Sequence, residues 1–127
     1  MSMTSFKIPL DIEPEAKKYM KEVVSMLTEN GLIERVDDAA IKMLAYNYST
    51  FIKAQKTISK DGLTVISDRG NIAEHPAVKI GKDAQVQAMK VMQEFGLTAR
   101  SRKKLLNTQE LEDETALDDY FKDKLND

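Results

Sequence analysis

Hydrophobic residues recur at steps of three and four along three long stretches of the chain, the spacing that puts side chains on one face of an α-helix. The first stretch begins near Glu13 and Pro14, stops at Asn30 and Gly31, and has apolar positions at Ala16, Tyr19, Met20, Val23, Val24 and Leu27. The second begins at Asp37 or Asp38, stops at Asp61 and Gly62, and has them at Ile41, Leu44, Ala45, Tyr48 and Ile52, with Gln55 next in the series. Because a short link joins the two, we expect an antiparallel helical hairpin.

After the second helix the pattern changes to short runs rich in β-branched residues. Residues 63–66, Leu-Thr-Val-Ile, are too short for a convincing helix, and residues 71–73 can return as a partner strand. Between them, Ser67, Asp68, Arg69 and Gly70 are residues that turns favour. We predict a small β-hairpin that rests on the helices or on a neighbouring subunit, because an isolated two-stranded hairpin is marginal in water.

The third helical stretch runs from Pro76, which suits a first helical turn, to Gly96, which can take the left-handed conformation that ends a helix. Its apolar positions are Ala77, Ile80, Ala84, Ala88, Val91 and Phe95, with Val86, Met89 and Met92 widening the face. A face this wide suits a helix that packs on its own hairpin and on a neighbouring subunit. Burial within a monomer is the alternative. The candidate oligomer interface consists of Val86, Met89, Met92 and Phe95.

A short fourth helix is predicted after Gly96, with Thr98 as its N-cap. It contains four cations and no acid among them, namely Arg100, Arg102, Lys103 and Lys104. This density of positive charge indicates an anionic target, for which Lys79 and Lys82 of the preceding helix are secondary candidates.

The glycine turn between the third and fourth helices suits a helix-turn-helix that reads DNA bases. Such motifs usually have a small residue where this chain has Met92, and a branched apolar residue where it has Arg102. The resemblance to a recognition helix is therefore weak. The alternative is contact with phosphates, which needs only position and charge.

Composition narrows the class of protein. A chain of 127 residues fits one domain, and 42% hydrophobic with 31% charged residues is ordinary for a globular protein. The absence of cysteine excludes a disulfide framework and thiolate metal sites. No apolar run approaches the roughly 20 residues of a membrane span. We expect a cytoplasmic protein without a membrane partner.

Charge is unevenly distributed along the chain. From Thr108 onward eight acids face two lysines, so this tail has a charge of −6, and the rest must have +4 to give the net −2. We divide the chain into a flexible N-terminal arm (1–12), a helical DNA-binding and oligomerisation domain (13–107) and an acidic tail (108–127). The tail is either disordered or an amphipathic segment that folds onto a partner, with apolar positions at Leu111, Leu117, Tyr120, Phe121 and Leu125.

Residues for catalysis are lacking. The single histidine, His75, precedes Pro76 and is expected to order the start of the third helix. Gly81 and Lys82 do not form a phosphate-binding loop, because that motif needs glycine at position 76 and Ser or Thr at position 83. Paired acids occur in a tail without a scaffold to hold them. We expect neither an enzyme nor a metal or cofactor site.

A succession of short motifs resembles the small subunit of tailed-phage terminases. In order, these are Gly31-Leu32-Ile33, Asp38, Ala45-Tyr46 to Tyr48, Lys60-Asp61-Gly62, Asp68-Arg69-Gly70-Asn71, His75-Pro76-Ala77, Phe95-Gly96-Leu97-Thr98 and Ser101-Arg102. The similarity runs from about Asp11 to Leu106. At Ala99 the family often has proline, but alanine also opens a helix well.

The resemblance implies a non-enzymatic, mainly α protein that assembles into a ring in the host cytoplasm. It would bind double-stranded viral DNA at the packaging site and recruit the large subunit, which holds the ATPase motor and nuclease. Phosphates would be contacted by Arg100, Arg102, Lys103 and Lys104, with Lys79 and Lys82 in support. The acidic tail is not part of the shared pattern, and we predict separately that it contacts the large subunit through Leu117, Tyr120, Phe121 and Leu125. An alternative role for the acidic tail is to shield the basic helix. An alternative function for the whole protein is that of a helical protein–protein adaptor without DNA contact.

Overall fold

The computed structural model describes residues 6–104, 107, 117 and 120–122. The order of elements there is α1 (Pro14–Glu29), a 3-10 helix (Arg35–Asp37), α2 (Asp38–Asp61), β1 (Thr64–Ile66), β2 (Ile72–Glu74) and α3 (Pro76–Glu94). Residues 99–104 are also helical. The chain divides into two compact units, residues 1–92 and 93–127. The predicted mainly helical fold with a small two-stranded sheet is confirmed.

Helix α1 has the predicted limits. Pro14 occupies its first turn, and after Asn30 the chain turns at Gly31, whose φ of 64° is in the left-handed region that glycine tolerates. The amide of Leu32 donates to the carbonyl of Leu27 at 2.9 Å, a bond that closes the helix end. The face buried in the core is made of Ala16, Met20, Val23 and Leu27.

Helix α2 is longer, with 24 residues, and its buried face shifts along its length. Buried positions are Ile41, Leu44, Ala45, Ser49 and Ala54. The predicted stripe is therefore right over the first two turns and inaccurate beyond them, where Tyr48 and Ile52 are only half-buried and Gln55 is exposed. The helix ends at Asp61, and Gly62 follows with a φ of 87°.

Polar contacts hold α1 antiparallel to α2. The backbone amide of Glu13 donates to Oγ of Ser49 at 2.8 Å, which satisfies a buried hydroxyl. Lys56 Nζ lies 2.8 Å from the Glu15 carboxylate and 3.5 Å from that of Glu13. The hydrogen bond from Lys56 lowers the pKa of Glu15 and, reciprocally, raises the pKa of Lys56. The start of α1 thus lies beside the second half of α2, as the predicted helical hairpin requires.

Part of the N-terminal arm also contacts α2. Ile12 is 6% exposed, and the Tyr46 hydroxyl donates to the Asp11 carboxylate at 3.1 Å. This hydrogen bond, to a group that is negative when ionised, raises the pKa of Tyr46. The division into arm, domain and tail stays a prediction.

Helix α3 packs through small residues. Its buried positions are Ala77, Gly81, Ala84 and Ala88. A Cβ added at Gly81 would lie 2.9 Å from Cβ of Ala54, so α3 approaches α2 more closely than an alanine pair allows. The prediction that Ile80 belongs to the buried face is wrong, because its side chain is 53% exposed. At Gly81, therefore, the close approach to α2 places this small residue inside, whereas the neighbouring Ile80 is left outside.

His75 orders the start of α3, in the structural role predicted for it. Its Nδ1 accepts a hydrogen bond from the amide of Ala77 at 3.0 Å, as an N-cap side chain does. Its Nε2 lies 3.1 Å from the carboxylate of Asp61 at the end of α2. The imidazole thereby joins the end of one helix to the beginning of the next.

The β-hairpin connects α2 and α3. Its antiparallel register pairs Thr64 with Glu74, Val65 with Ala73 and Ile66 with Ile72. Ser67 accepts the Gly70 amide at its carbonyl, at 2.8 Å, and Gly70 has a φ of 81°. This is the turn that the sequence predicts, and every residue of both strands is exposed.

Candidate nucleic-acid interface

The second unit contains the basic segment, defined here as helical residues 99–104. Gly96, with a φ of 68°, ends the preceding helix as predicted. Thr98 Oγ1 accepts the Ser101 amide at 3.2 Å, and Ser101 Oγ accepts the Thr98 amide at 3.1 Å. This reciprocal arrangement is a capping box with serine in place of the usual acid or amide. The predicted N-cap is confirmed, and Ser101 has a reciprocal role that the spacing of residues did not predict.

The four cations of the basic segment are all exposed but differ in surroundings. Arg100, Lys103 and Lys104 are three and four residues apart and therefore lie on one side of the helix. Arg102 lies on another side, where Nη1 donates to the carbonyl of Leu97 at 3.1 Å. A guanidinium has five N–H donors, so this bond leaves Arg102 able to contact an anion.

A second basic surface lies on α3, in the first unit. Lys79 and Lys82 are exposed and recur with Lys90 at helical spacing, on the side opposite the buried alanines. The acidic residue Asp83, which is also exposed, follows Lys82 in this part of the helix. Lys90 was not among the predicted site residues, although its spacing of eight residues from Lys82 puts it on the same side of a helix. We call these three lysines the α3 lysine face.

The candidate oligomer-interface residues do not share one environment. Val86 is 45% exposed and lies on the α3 lysine face, and Met89 is 39% exposed beside it. Met92 and Phe95 are half-buried. The two roles predicted for the third helix, DNA contact and subunit contact, therefore fall partly on the same surface.

Three candidate contacts for a large subunit lie in the described part of the tail. Leu117 is 55% exposed, Tyr120 56% and Phe121 52%, all in helical conformation. The rings of Tyr120 and Phe121 meet edge to face, with centroids 5.7 Å apart. The fourth candidate, Leu125, lies outside the described residues, as does Leu111.

No group of three or more acidic, histidine or cysteine side chains that could hold a metal ion occurs among residues 6–104, 107, 117 and 120–122. Over the same residues, the helices are too short or too polar to cross a bilayer.

The fold and the distribution of charge define a small helical protein with two exposed basic surfaces. Over residues 16–112, from α1 through the basic segment, the chain matches the family described as phage terminase, small subunit, and it belongs to that family. No match was found among curated proteins or among solved structures. Membership supports a role in phage genome packaging within the host cell, and small terminase subunits are generally non-catalytic regulators.

Proposed function

We propose that this chain binds double-stranded viral DNA at the packaging site as a ring of identical subunits. Bound there, it recruits and regulates the large ATPase–nuclease subunit that packages the genome. It acts without catalysing a reaction itself and needs no cofactor. Its site of action is the host cytoplasm.

The basic segment is the observation that carries the DNA-binding part of this proposal. Arg100, Arg102, Lys103 and Lys104 fall within five residues, all exposed, on a helix that begins with a capping box. Acids are absent from residues 95–104, so that stretch has a net positive charge. An ordered cluster of this kind suits phosphate contacts, which position a protein on DNA without reading its bases.

In a ring, a small cluster of cations on each subunit is sufficient for DNA binding. Each subunit offers only a few cations, but identical clusters repeated around a ring bind the same duplex together. The α3 lysine face supplies Lys79, Lys82 and Lys90 as additional contacts. The predicted subunit interface includes Val86, Met89, Met92 and Phe95, of which Val86 and Met89 are accessible to a neighbour.

A salt titration of DNA binding tests the proposal. Affinity for a 30-base-pair duplex is measured by fluorescence anisotropy at several salt concentrations, for the natural protein and a variant with Arg100, Arg102, Lys103 and Lys104 changed to alanine. If all four contact phosphates, the variant loses affinity and the log–log salt slope becomes shallower by up to about 3.6, at about 0.9 per contact. An unchanged slope would exclude the basic segment from the site.

A matched control separates local contact from net charge. Changing Lys18, Lys21, Lys53 and Lys60 to alanine removes the same total charge from exposed positions of α1 and α2. We expect this variant to retain the natural salt slope. If both variants lose affinity equally, DNA binding depends on overall charge, and the assignment to the basic segment is wrong.

The tail is proposed to contact the large subunit through Leu117, Tyr120, Phe121 and Leu125. Deleting residues 108–127 is expected to leave the oligomer mass and DNA affinity unchanged while abolishing stimulation of the large subunit's ATPase. Loss of the oligomer would refute this role. Tighter DNA binding after deletion would instead show that the acidic tail shields the cations.

The same titration distinguishes the adaptor alternative. A protein that binds only protein partners would show no affinity for random duplex DNA at moderate salt, and light scattering would give the mass of a monomer. That combination would overturn both the DNA-binding and the ring proposals.

A further inference from the structure

Two uncharged side chains hold the start of the basic segment, and neither is among the predicted DNA contacts. Thr98 and Ser101 are half-buried, although the cations beside them are exposed. Their hydroxyl oxygens lie 2.6 Å apart. The Ser101 hydroxyl also lies 3.0 Å from the carbonyl oxygen of Thr98, which accepts the amide of Arg102 at 2.9 Å as well. Together with the two amide bonds of the capping box, these contacts form one closed network.

The network uses the hydrogen-bonding capacity of both hydroxyls locally. Each hydroxyl has one proton to donate and two lone pairs with which to accept. If the Thr98 hydroxyl donates to Ser101 Oγ, the Ser101 hydroxyl can donate to the Thr98 carbonyl. Ser101 Oγ then also accepts the Thr98 amide, and Thr98 Oγ1 accepts the Ser101 amide. Because both hydroxyl protons are used within the segment, the pair is suited to holding the backbone.

The charge pattern of the basic segment opposes its helical conformation. Arg100 is three residues from Lys103 and four from Lys104, the spacings at which like charges destabilise a helix. A cation in the first turn also meets the positive end of the helix dipole. The opening turn is the costliest part of a helix to form, because several residues are fixed for one hydrogen bond. The contacts of Thr98 and Ser101 offset these costs where the helix begins.

We propose that Thr98 and Ser101 are positioning residues for DNA binding. They hold the basic segment in its helical conformation before DNA arrives, so the cations need little further ordering when they meet phosphates. Preorganisation of this kind raises affinity by lowering the entropy lost on binding. The proposal rests on DNA binding by the basic segment, and it adds two uncharged residues that act through the cations without contacting the duplex.

Thr98→Ala and Ser101→Ala in the full-length protein test this role, since each removes part of the network and keeps all four cations. Affinity for the 30-base-pair duplex should fall about fivefold in each variant, the equivalent of roughly 1 kcal/mol for a lost helix cap. The log–log salt slope should change by less than the value of one contact, about 0.9, because the number of phosphates neutralised in the complex stays the same.

Hydrogen exchange in the free protein separates positioning from direct contact. If the hydroxyls hold the segment, the backbone amides of residues 100–104 should exchange about fivefold faster in both variants, as measured by mass spectrometry without DNA. A loss of affinity with natural exchange rates in the free variants would show that the hydroxyls contact DNA themselves. That result would overturn the proposal.

Two further variants serve as controls. Ser101→Gln supplies the longer amide side chain that is usual at this position of a capping box, and we expect it to retain at least about half of the natural affinity. Thr50→Ala removes an exposed hydroxyl from α2 and should bind DNA like the natural protein. Equal losses in Ser101→Gln and Ser101→Ala would contradict a role in capping, as would a matching loss in Thr50→Ala.

Light scattering separates a local effect from a general one. We expect Thr98→Ala and Ser101→Ala to retain the oligomer mass of the natural protein, because the network lies within the basic segment and its cap. If the mass falls together with the affinity, the two residues support the assembly as a whole, and their assignment as positioning residues for DNA binding is wrong.

Failure of this inference is distinguishable from failure of the proposed function. If the variant without the four cations has a shallower salt slope, but Thr98→Ala and Ser101→Ala bind the duplex like the natural protein, only the positioning role is wrong. If the natural protein does not bind duplex DNA, the proposed function fails as well.

Discussion

Between residues 14 and 74 the chain forms two antiparallel hairpins, one helical and one of strands, and their apolar side chains differ in burial. In the α1–α2 pair, Met20, Leu27 and Leu44 are completely buried. In the β-hairpin, Ile66 and Ile72 are each 74% exposed. The difference indicates that the helical pair supplies the stability of the first unit, whereas the apolar residues of the β-hairpin are available for another molecule.

The largest effect is expected from truncation in the helical pair. Leu44→Ala removes a side chain with no exposed surface and should lower the free energy of unfolding by about 2–5 kcal/mol. Ile72→Ala, on the exposed hairpin, should change it by at most about 0.5 kcal/mol in the monomer. Urea denaturation at low protein concentration measures both. Equal losses would mean that the hairpin belongs to the core after all.

An intermediate effect is expected where α3 crosses α2. Gly81→Ala puts a Cβ 2.9 Å from that of Ala54, and such overpacking costs about 1–3 kcal/mol, partly offset by about 1 kcal/mol of improved helix propensity. Adding Ala54→Gly removes the clash and should restore the natural melting temperature to within a few degrees. A Gly81→Ala variant more stable than the natural protein would show that the helices can separate without cost.

A smaller effect is expected at the polar contact between α1 and α2. Ser49→Ala leaves the amide of Glu13 without the acceptor now 2.8 Å away, which should cost about 1 kcal/mol because Glu13 itself is only half-buried. Ser49→Thr, which keeps a hydroxyl, is the matched control. Thermal unfolding followed by circular dichroism compares the two variants, and equal stability would show that water replaces the hydroxyl.

The smallest effect is expected from pH. The hydrogen bond from Lys56 lowers the pKa of Glu15 below its usual 4.5, so the ionised form is favoured in the folded state. The resulting stability is present above pH 4.5 and is lost as the pH falls through the lower pKa of the folded state. Melting temperatures between pH 5 and pH 2 should decline less steeply for Glu15→Gln than for the natural protein. Because the pair is exposed, solvent screens it and the difference is small.

Helix limits were predictable because local chemistry sets them. Pro14 and Pro76 suit first turns, and Gly31, Gly62 and Gly96 allow the chain to leave a helix with positive φ. The β-hairpin was also predictable, since its turn residues and β-branched strands are local signals. Family membership followed from short motifs in order along the chain, and the family match supports it.

The choice of buried faces was predicted less well. Ile80 has the spacing of a core residue but is 53% exposed, whereas its neighbour Gly81 is buried and lies close to Ala54 of α2. A prediction from hydrophobic periodicity gives Ile more weight than Ala because Ile is more hydrophobic. Close packing of two helices instead favours the face with the smaller side chains, because it lets the backbones approach. The exposed apolar side chains of Val36, Met43 and Tyr46 were not predicted either, because the periodicity gave α2 a single, buried apolar face.

The sequence by itself determined where the helices and the β-hairpin begin and end, where the cations cluster, and to which family the chain belongs, because these depend on neighbouring residues. Only the tertiary structure decided which apolar residues are used inside the protomer. That decision depends on contacts between distant segments, such as Ala54 against Gly81 and Ser49 against the start of α1. The same contacts leave other apolar residues outside, among them Ile66 and Ile72 of the β-hairpin and Met43 of α2.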